Sequence, residues 1–170
     1  MGQDMLAWSR AETPERAARP ILNSLFSVIQ YSMKLDGLPE SHCRVIRKWI
    51  DFTQRHRAAL VKGAFRPYHP ELLYPKLEGE SDEEKVFALY SVAQPVDVED
   101  LAKPVVLVNA TFETSIPVMS SVPATARLFD VFGQEKGVVK LAPGVQMLSV
   151  PVSGFAEIAK GGVLESPGAF

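Results

Sequence analysis

The stretch HRAALVKGAFRPYHPELLYP, from His56 to Pro75, divides the chain into two textures. Its first half continues a charged, helix-like run that stops at Gly63, a residue suited to ending a helix. Its second half is punctuated by proline and aromatic residues, and short strand-like segments follow it. The stretch therefore reads as a junction between the tail of one structural unit, residues 1–63, and the start of another, residues 64–170.

Working back toward the N-terminus, Val45, Ile46, Trp49, Ile50, Thr53 and Leu60 form an apolar stripe between basic positions such as Arg44, Lys48 and Arg55, the pattern of an amphipathic helix. LDGLPES, with Gly37 and Pro39, breaks the chain ahead of it. An earlier helix is predicted to begin at Thr13-Pro14-Glu15, where a hydroxyl caps, a proline presets the first turn and an acid meets the positive end of the dipole. Ala18, Ile21, Leu22, Leu25, Phe26, Ile29 and Met33 continue with helical spacing, but FSVIQYSMKL also fits a strand with Ile29, Tyr31, Met33 and Leu35 on one face. Periodicity leaves both open.

Working forward, ELLYPKLE, KVFALYSVA, KPVVLVNAT, TARLFDVF, VQMLSVPV and GFAEIAK are rich in β-branched and aromatic residues and are separated by GESDEE, FGQEKG and APG. Short strands at this spacing predict an antiparallel β-sandwich. The clearest part is FDVFGQEKGVVKLAPGVQMLSV, with one Gly-bounded turn after Phe132 and a second at Pro143-Gly144. The fold class is thus mainly β with N-terminal helices, α+β. No linker separates the two parts, so they are expected to pack on each other.

Composition narrows the partners. The chain has 170 residues, a formal charge of −2, 46% hydrophobic and 22% charged residues. That balance is globular and offers no basic footprint for nucleic acid. No apolar run approaches the ~20 residues that span a bilayer, and the acidic N-terminus lacks a secretory core, so the sequence as written is expected in the cytoplasm, away from membranes. Cys43 is the sole cysteine, which rules out an internal disulfide and a cysteine-based zinc cage; no cofactor is indicated.

From Glu12 to Pro67 the sequence resembles the end of the catalytic barrel of alpha-galactosidase-like glycoside hydrolases, followed by their C-terminal β-sandwich. Arg57, Leu60, Gly63 and Phe65 carry an R..L..G.F phrase, LDGLPES resembles the loop before the final helix, and DVFGQEKGVVKLAPGVQMLSVPVSGFAEI resembles the last hairpins. The resemblance implies that FSVIQYSMKL is the last barrel strand and that residues 1–63 are a helical remnant of the barrel. It also implies that both catalytic acids lie on earlier strands, so that no catalytic residue carries over. The expected function is the C-terminal, non-catalytic portion of such a hydrolase, with carbohydrate as the parent's partner. The alternative is a free-standing carbohydrate-binding or protein-interaction β-sandwich.

The chemistry-bearing residues fit that reading. A glycosidase needs two carboxyl groups ~5–5.5 Å or ~6.5–9.5 Å apart across the sugar. Glu12 and Glu15 read as helix N-terminal acids, and Asp82, Glu83 and Glu84 as a solvated turn. Asp36 alone stands where a barrel's working face would be, as a substrate contact or a turn former. His42 and His56 would be about 21 Å apart on one helix, too far to share a metal. His42 and Cys43 point to different helix faces, and His69 reads as a junction residue. Trp49 belongs to the core, Tyr68 and Tyr74 to the junction, and Trp8 is unconstrained. A barrel segment without neighbouring strands would expose Leu25, Phe26 and Ile29 and favour self-association.

Overall fold

The structure is a computed structural model that describes residues 9–31 and 36–161. Trp8, Met33, Leu35 and Phe170 therefore lie outside the described residues. The fold is mainly β with a few helices: among the described residues it has α1 (Pro14–Asn23), α2 (Glu40–Arg55), a π-turn (Ala58–Lys62) and ten strands. The strands are β1 (Ala64–Tyr68), β2 (Lys76–Glu80), β3 (Lys85–Leu89), β4 (Val96–Asp97) and β5 (Val105–Asn109). They continue with β6 (Ser115–Ser120), β7 (Ala124–Phe129), β8 (Glu135–Leu141), β9 (Gly144–Ser149) and β10 (Phe155–Lys160).

Helix α1 starts as the sequence dictates, with the Thr13 hydroxyl accepting the Arg16 amide at 3.3 Å. It ends at Asn23 in a turn, where the Leu22 carbonyl accepts the Tyr90 hydroxyl at 2.8 Å and the Leu25 amide at 3.4 Å, and the Ser27 hydroxyl donates to the Ser24 carbonyl. Residues 25–31 are neither helix nor strand; they form turns and a single bridge at Gln30 and join neither sheet. The expected exposure of this segment needs correction: Leu25 is fully buried and Phe26 and Ile29 are half-buried against the same core, while Val28 beside them stands 71% exposed.

Seven strands form one sheet in the order β1-β2-β3-β5-β10-β7-β8, and three form another, β4-β6-β9. The sheets are mixed, which corrects the antiparallel expectation, since β3 runs parallel to β5 and β4 parallel to β6. The Pro143-Gly144 turn does not close a hairpin either. It carries the chain from β8 in the large sheet to β9, which pairs β6 in the small one.

Alternation along the central strands explains why KVFAL and VVLVN are apolar throughout. Val86, Ala88, Val106 and Val108 face the helices and pack with Ile21, Leu22, Val45, Trp49 and Phe52. Phe87, Leu89, Val105 and Leu107 face the other way and share a core with Ile116, Val118 and Leu148 of the small sheet. Three layers result: helices, large sheet, small sheet. Trp49 is fully buried, its ring 4.8 Å from Phe52 and 6.1 Å from Phe155.

Cations of the helical layer reinforce this packing. The Arg19 guanidinium lies 3.8 Å from the Phe112 ring centre, Arg44 4.3 Å from Phe132, and the Lys48 ammonium 5.2 Å from Phe155. The Lys48 stem passes so close to Gly133 that a Cβ there would sit 2.3 Å from Lys48 Cε, and Gly133 also holds a φ of +73° in the β7–β8 turn. No helix among the described residues is long and apolar enough to cross a membrane.

Candidate functional site

The junction read from the sequence lies at one end of the large sheet. Leu60 is buried beneath it, and Phe65 at the start of β1 packs its ring 5.5 Å from Phe26. Gly63 is extended rather than left-handed, so its role is close approach: a Cβ would lie 2.1 Å from the Glu80 carbonyl. Beside this seam a groove of about 220 Å³ runs between residues 27–31 and α2, lined by Val28, Ile29, Tyr31, Ile50, Arg57 and Val61 among others. Burial raises the pKa of Tyr31, whose hydroxyl has no hydrogen-bond partner among the described residues.

Strands β1 to β3 carry a polar shelf on the opposite face. The register sets Arg66 against Glu78 and Tyr68 against Lys76, so alternation gathers Arg66, Tyr68, Lys76, Glu78, Glu80 and Lys85 on one side. Glu78 is only 2% exposed. It accepts hydrogen bonds from the Tyr68 hydroxyl and from Arg66 at 3.1 Å, and the same Arg66 nitrogen reaches Glu80 at 3.2 Å. Lys103 completes the set, 2.9 Å from Glu80 and 2.8 Å from the Ser81 carbonyl.

The electrostatics follow from these contacts. Burial, then the Glu78 hydrogen bond, pushes the Tyr68 phenol up to about 12. The Lys103 hydrogen bond holds the Glu80 carboxyl below its ordinary range. Burial lowers Lys76, whose ammonium lies 4.0 Å from the Tyr68 ring centre. Glu78 and Glu80 share one strand face, about 6.6 Å apart along the backbone, and both are committed to Arg66. Arg66, with Lys103 beside Glu80, balances the charge of this pair.

Between β1 and β2, residues 69–75 form a loop with three non-glycine residues in the left-handed region: His69 (φ 53°), Leu73 (φ 59°) and Tyr74 (φ 55°). A Leu in this conformation is strained, since its Cβ crowds the following carbonyl. The loop displays Leu72, Leu73 and Tyr74, all exposed, with Leu73 88% exposed. His69 pairs with Glu71 at 2.9 Å at the loop surface.

The remaining sequence candidates are dispersed. Asp36 sits in an exposed turn, its carbonyl accepting from Arg10 at 3.4 Å. His42 is buried on α2 with Nε2 2.8 Å from the Glu12 carbonyl, and Cys43 beside it is half-buried. His56 lies at the end of α2, its Nδ1 2.9 Å from Glu84. That contact corrects the reading of Asp82, Glu83 and Glu84 as wholly solvated, because Glu84 turns inward to pin the β2–β3 turn onto the helix. Among the described residues no group of three His, Cys, Asp or Glu side chains comes together to hold a metal.

Glu78 was not singled out by sequence, because a glutamate in KLEGE reads as solvent-facing. Its signal was the matching alternation of Arg66 and Tyr68 with Lys76, Glu78 and Glu80. Pro67 hides that signal, for a proline inside AFRPY argues against a strand except at a sheet edge, which is where β1 lies. Compared with protein-family models, with the curated proteins and with the solved structures, the chain finds no match in any of the three.

Proposed function

We propose that the chain is the C-terminal, non-catalytic portion of a glycoside hydrolase resembling the alpha-galactosidases. In this reading the two sheets are its β-sandwich, and the helices are what remains of the end of its barrel. The observation that carries the reading is the strained loop 69–75, which holds Leu72, Leu73 and Tyr74 at the surface. Backbone strain of this kind clusters at ligand clamps and other functional loops, and the groove of mixed polar and apolar lining beside Val28 adds a second surface suited to contact with a larger body. Arg57, Leu60, Gly63 and Phe65, which carry the family-like phrase, all fall at the seam between helices and sheet, where a junction phrase belongs. Asp36 would supply a substrate contact only within the parent.

The test uses the chain alone and in mixture. A nitrophenyl alpha-galactoside should not be turned over, and calorimetric titration with galactosides and glucosides should give no saturable heat. An alpha-galactosidase barrel stripped of its own C-terminal domain should gain thermal stability when titrated with the chain, and Leu73→Asp should abolish the gain. Turnover by the chain alone would overturn the reading, and saturable sugar binding would favour a free-standing carbohydrate-binding module instead.

A further inference from the structure

We infer that β9 is a pairing edge through which two copies of this chain join their small sheets antiparallel about a two-fold axis centred on Met147. The backbone phase fixes which groups are offered. The Val150 amide donates to the Thr114 carbonyl at 2.9 Å, so the register from Ser115–Ser149 to Ser120–Gly144 alternates from that hydrogen-bonded pair. Pairs at Leu148, Gln146 and Gly144 are hydrogen-bonded to β6, and those at Ser149, Met147 and Val145 are not. Pro117, which has no amide proton, stands opposite Met147 in agreement with this phase. The amides and carbonyls of Val145, Met147 and Ser149 therefore point outward from the sheet, along an edge that no other strand occupies among the described residues.

The other sheet edges carry protection that β9 lacks. Strand β8 has Glu135, Lys136 and Lys140, β1 has Arg66 and Pro67, and β4 is two residues long with Asp97. Strand β9 reads GVQMLS, with no charge and no proline, and displays Val145 at 55% and Met147 at 60% exposure. Pro143 and Pro151 flank it and limit the usable length. A second copy is the occupant this edge fits. Centred on Met147, antiparallel self-pairing sets Met147 against the partner's Met147 and Val145 against the partner's Ser149. All three outward residues then exchange backbone hydrogen bonds, and no like charges meet. A two-fold centred on Val145 or Ser149 would use fewer of them.

Sedimentation equilibrium over a micromolar-to-millimolar series tests this on the intact chain. Wild type should form a dimer. Met147→Lys, which adds an edge charge, and Met147→Pro, which removes the outward amide without touching the β6 ladder, should each weaken dimerisation at least about tenfold. Far-ultraviolet circular dichroism should show both variants folded, and Val28→Lys on the groove side should leave the dimer intact. A wild type that stays monomeric throughout would overturn the proposal. So would a dimer that survives in a folded Met147→Lys, or one dissolved by Val28→Lys.

Discussion

Leu73 offers the sharpest test of the loop that carries the functional reading. It holds φ 59° and ψ 41° with its side chain 88% exposed, so a replacement forfeits almost no buried surface. An L-residue with a Cβ costs roughly 1–2 kcal/mol in this region. Asparagine tolerates it through local hydrogen bonding, and glycine enters it without penalty but loses roughly 0.5–1 kcal/mol of backbone entropy on folding. Leu73→Asn is therefore expected to stabilise the isolated chain by about 1 kcal/mol, and Leu73→Gly by somewhat less. For a chain of this size that is a rise of about 2–4 °C in Tm. Urea unfolding followed by circular dichroism would measure it. Leu72→Asn is the control, because Leu72 lies in a short 3-10 turn with an ordinary backbone, and it should be neutral or mildly destabilising. A Leu73→Asn variant less stable than wild type would refute the strain argument, and with it the case for a loop held ready for a partner.

Three further outcomes test the packing and the electrostatics. Trp49→Ala should cost about 3–5 kcal/mol in urea unfolding, whereas Trp49→Phe should cost far less, since the indole Nε1 has no hydrogen-bond partner among the described residues. Asn109 is buried and donates to the Glu113 and Val150 carbonyls at 2.8 and 3.0 Å while accepting from Thr111, so Asn109→Ala should lose about 2–4 kcal/mol by the same measurement. Burial raises the pKa of Tyr90 as well as Tyr68, so both favour the protonated form in the folded chain. Their contribution is present below the ordinary phenol pKa and is lost as pH rises from about 10 toward 12. Unfolding free energy should fall over that range, and Tyr90→Phe should flatten the fall.

Much of the fold was legible because its signals are local. Thr13-Pro14-Glu15 caps a helix by chemistry confined to three residues, and the apolar stripe through Val45, Ile46, Trp49 and Ile50 needs nothing beyond a 3.6-residue period. The cores of β3, β5, β7, β9 and β10 were visible as apolar runs. What was illegible depends on pairing between distant segments. Nothing in KVFAL or VVLVN tells that they run parallel, and nothing in APG tells that the chain leaves one sheet for the other. FSVIQYSMKL was ambiguous because its spacing serves two geometries; over residues 25–31 the fold adopts neither and instead follows a turn that packs Leu25, Phe26 and Ile29 against the core. The shelf around Glu78 was hidden for the same reason, because burial of that carboxylate follows from the β1–β2 register and not from its neighbours in sequence.

The three contacts between helical cations and aromatic rings have a consequence for ionic strength. Arg19, Arg44 and Lys48 have no carboxylate within ion-pair reach among the described residues, and each sits instead against a ring. Attraction between a charge and a ring's quadrupole falls off more steeply with distance than attraction between two full charges, so it depends less on the surrounding ion atmosphere. The grip of α1 and α2 on the sheet should consequently persist in concentrated salt, under conditions that loosen the partly exposed ion pairs of Arg16 with Glu12 and Lys136 with Asp130.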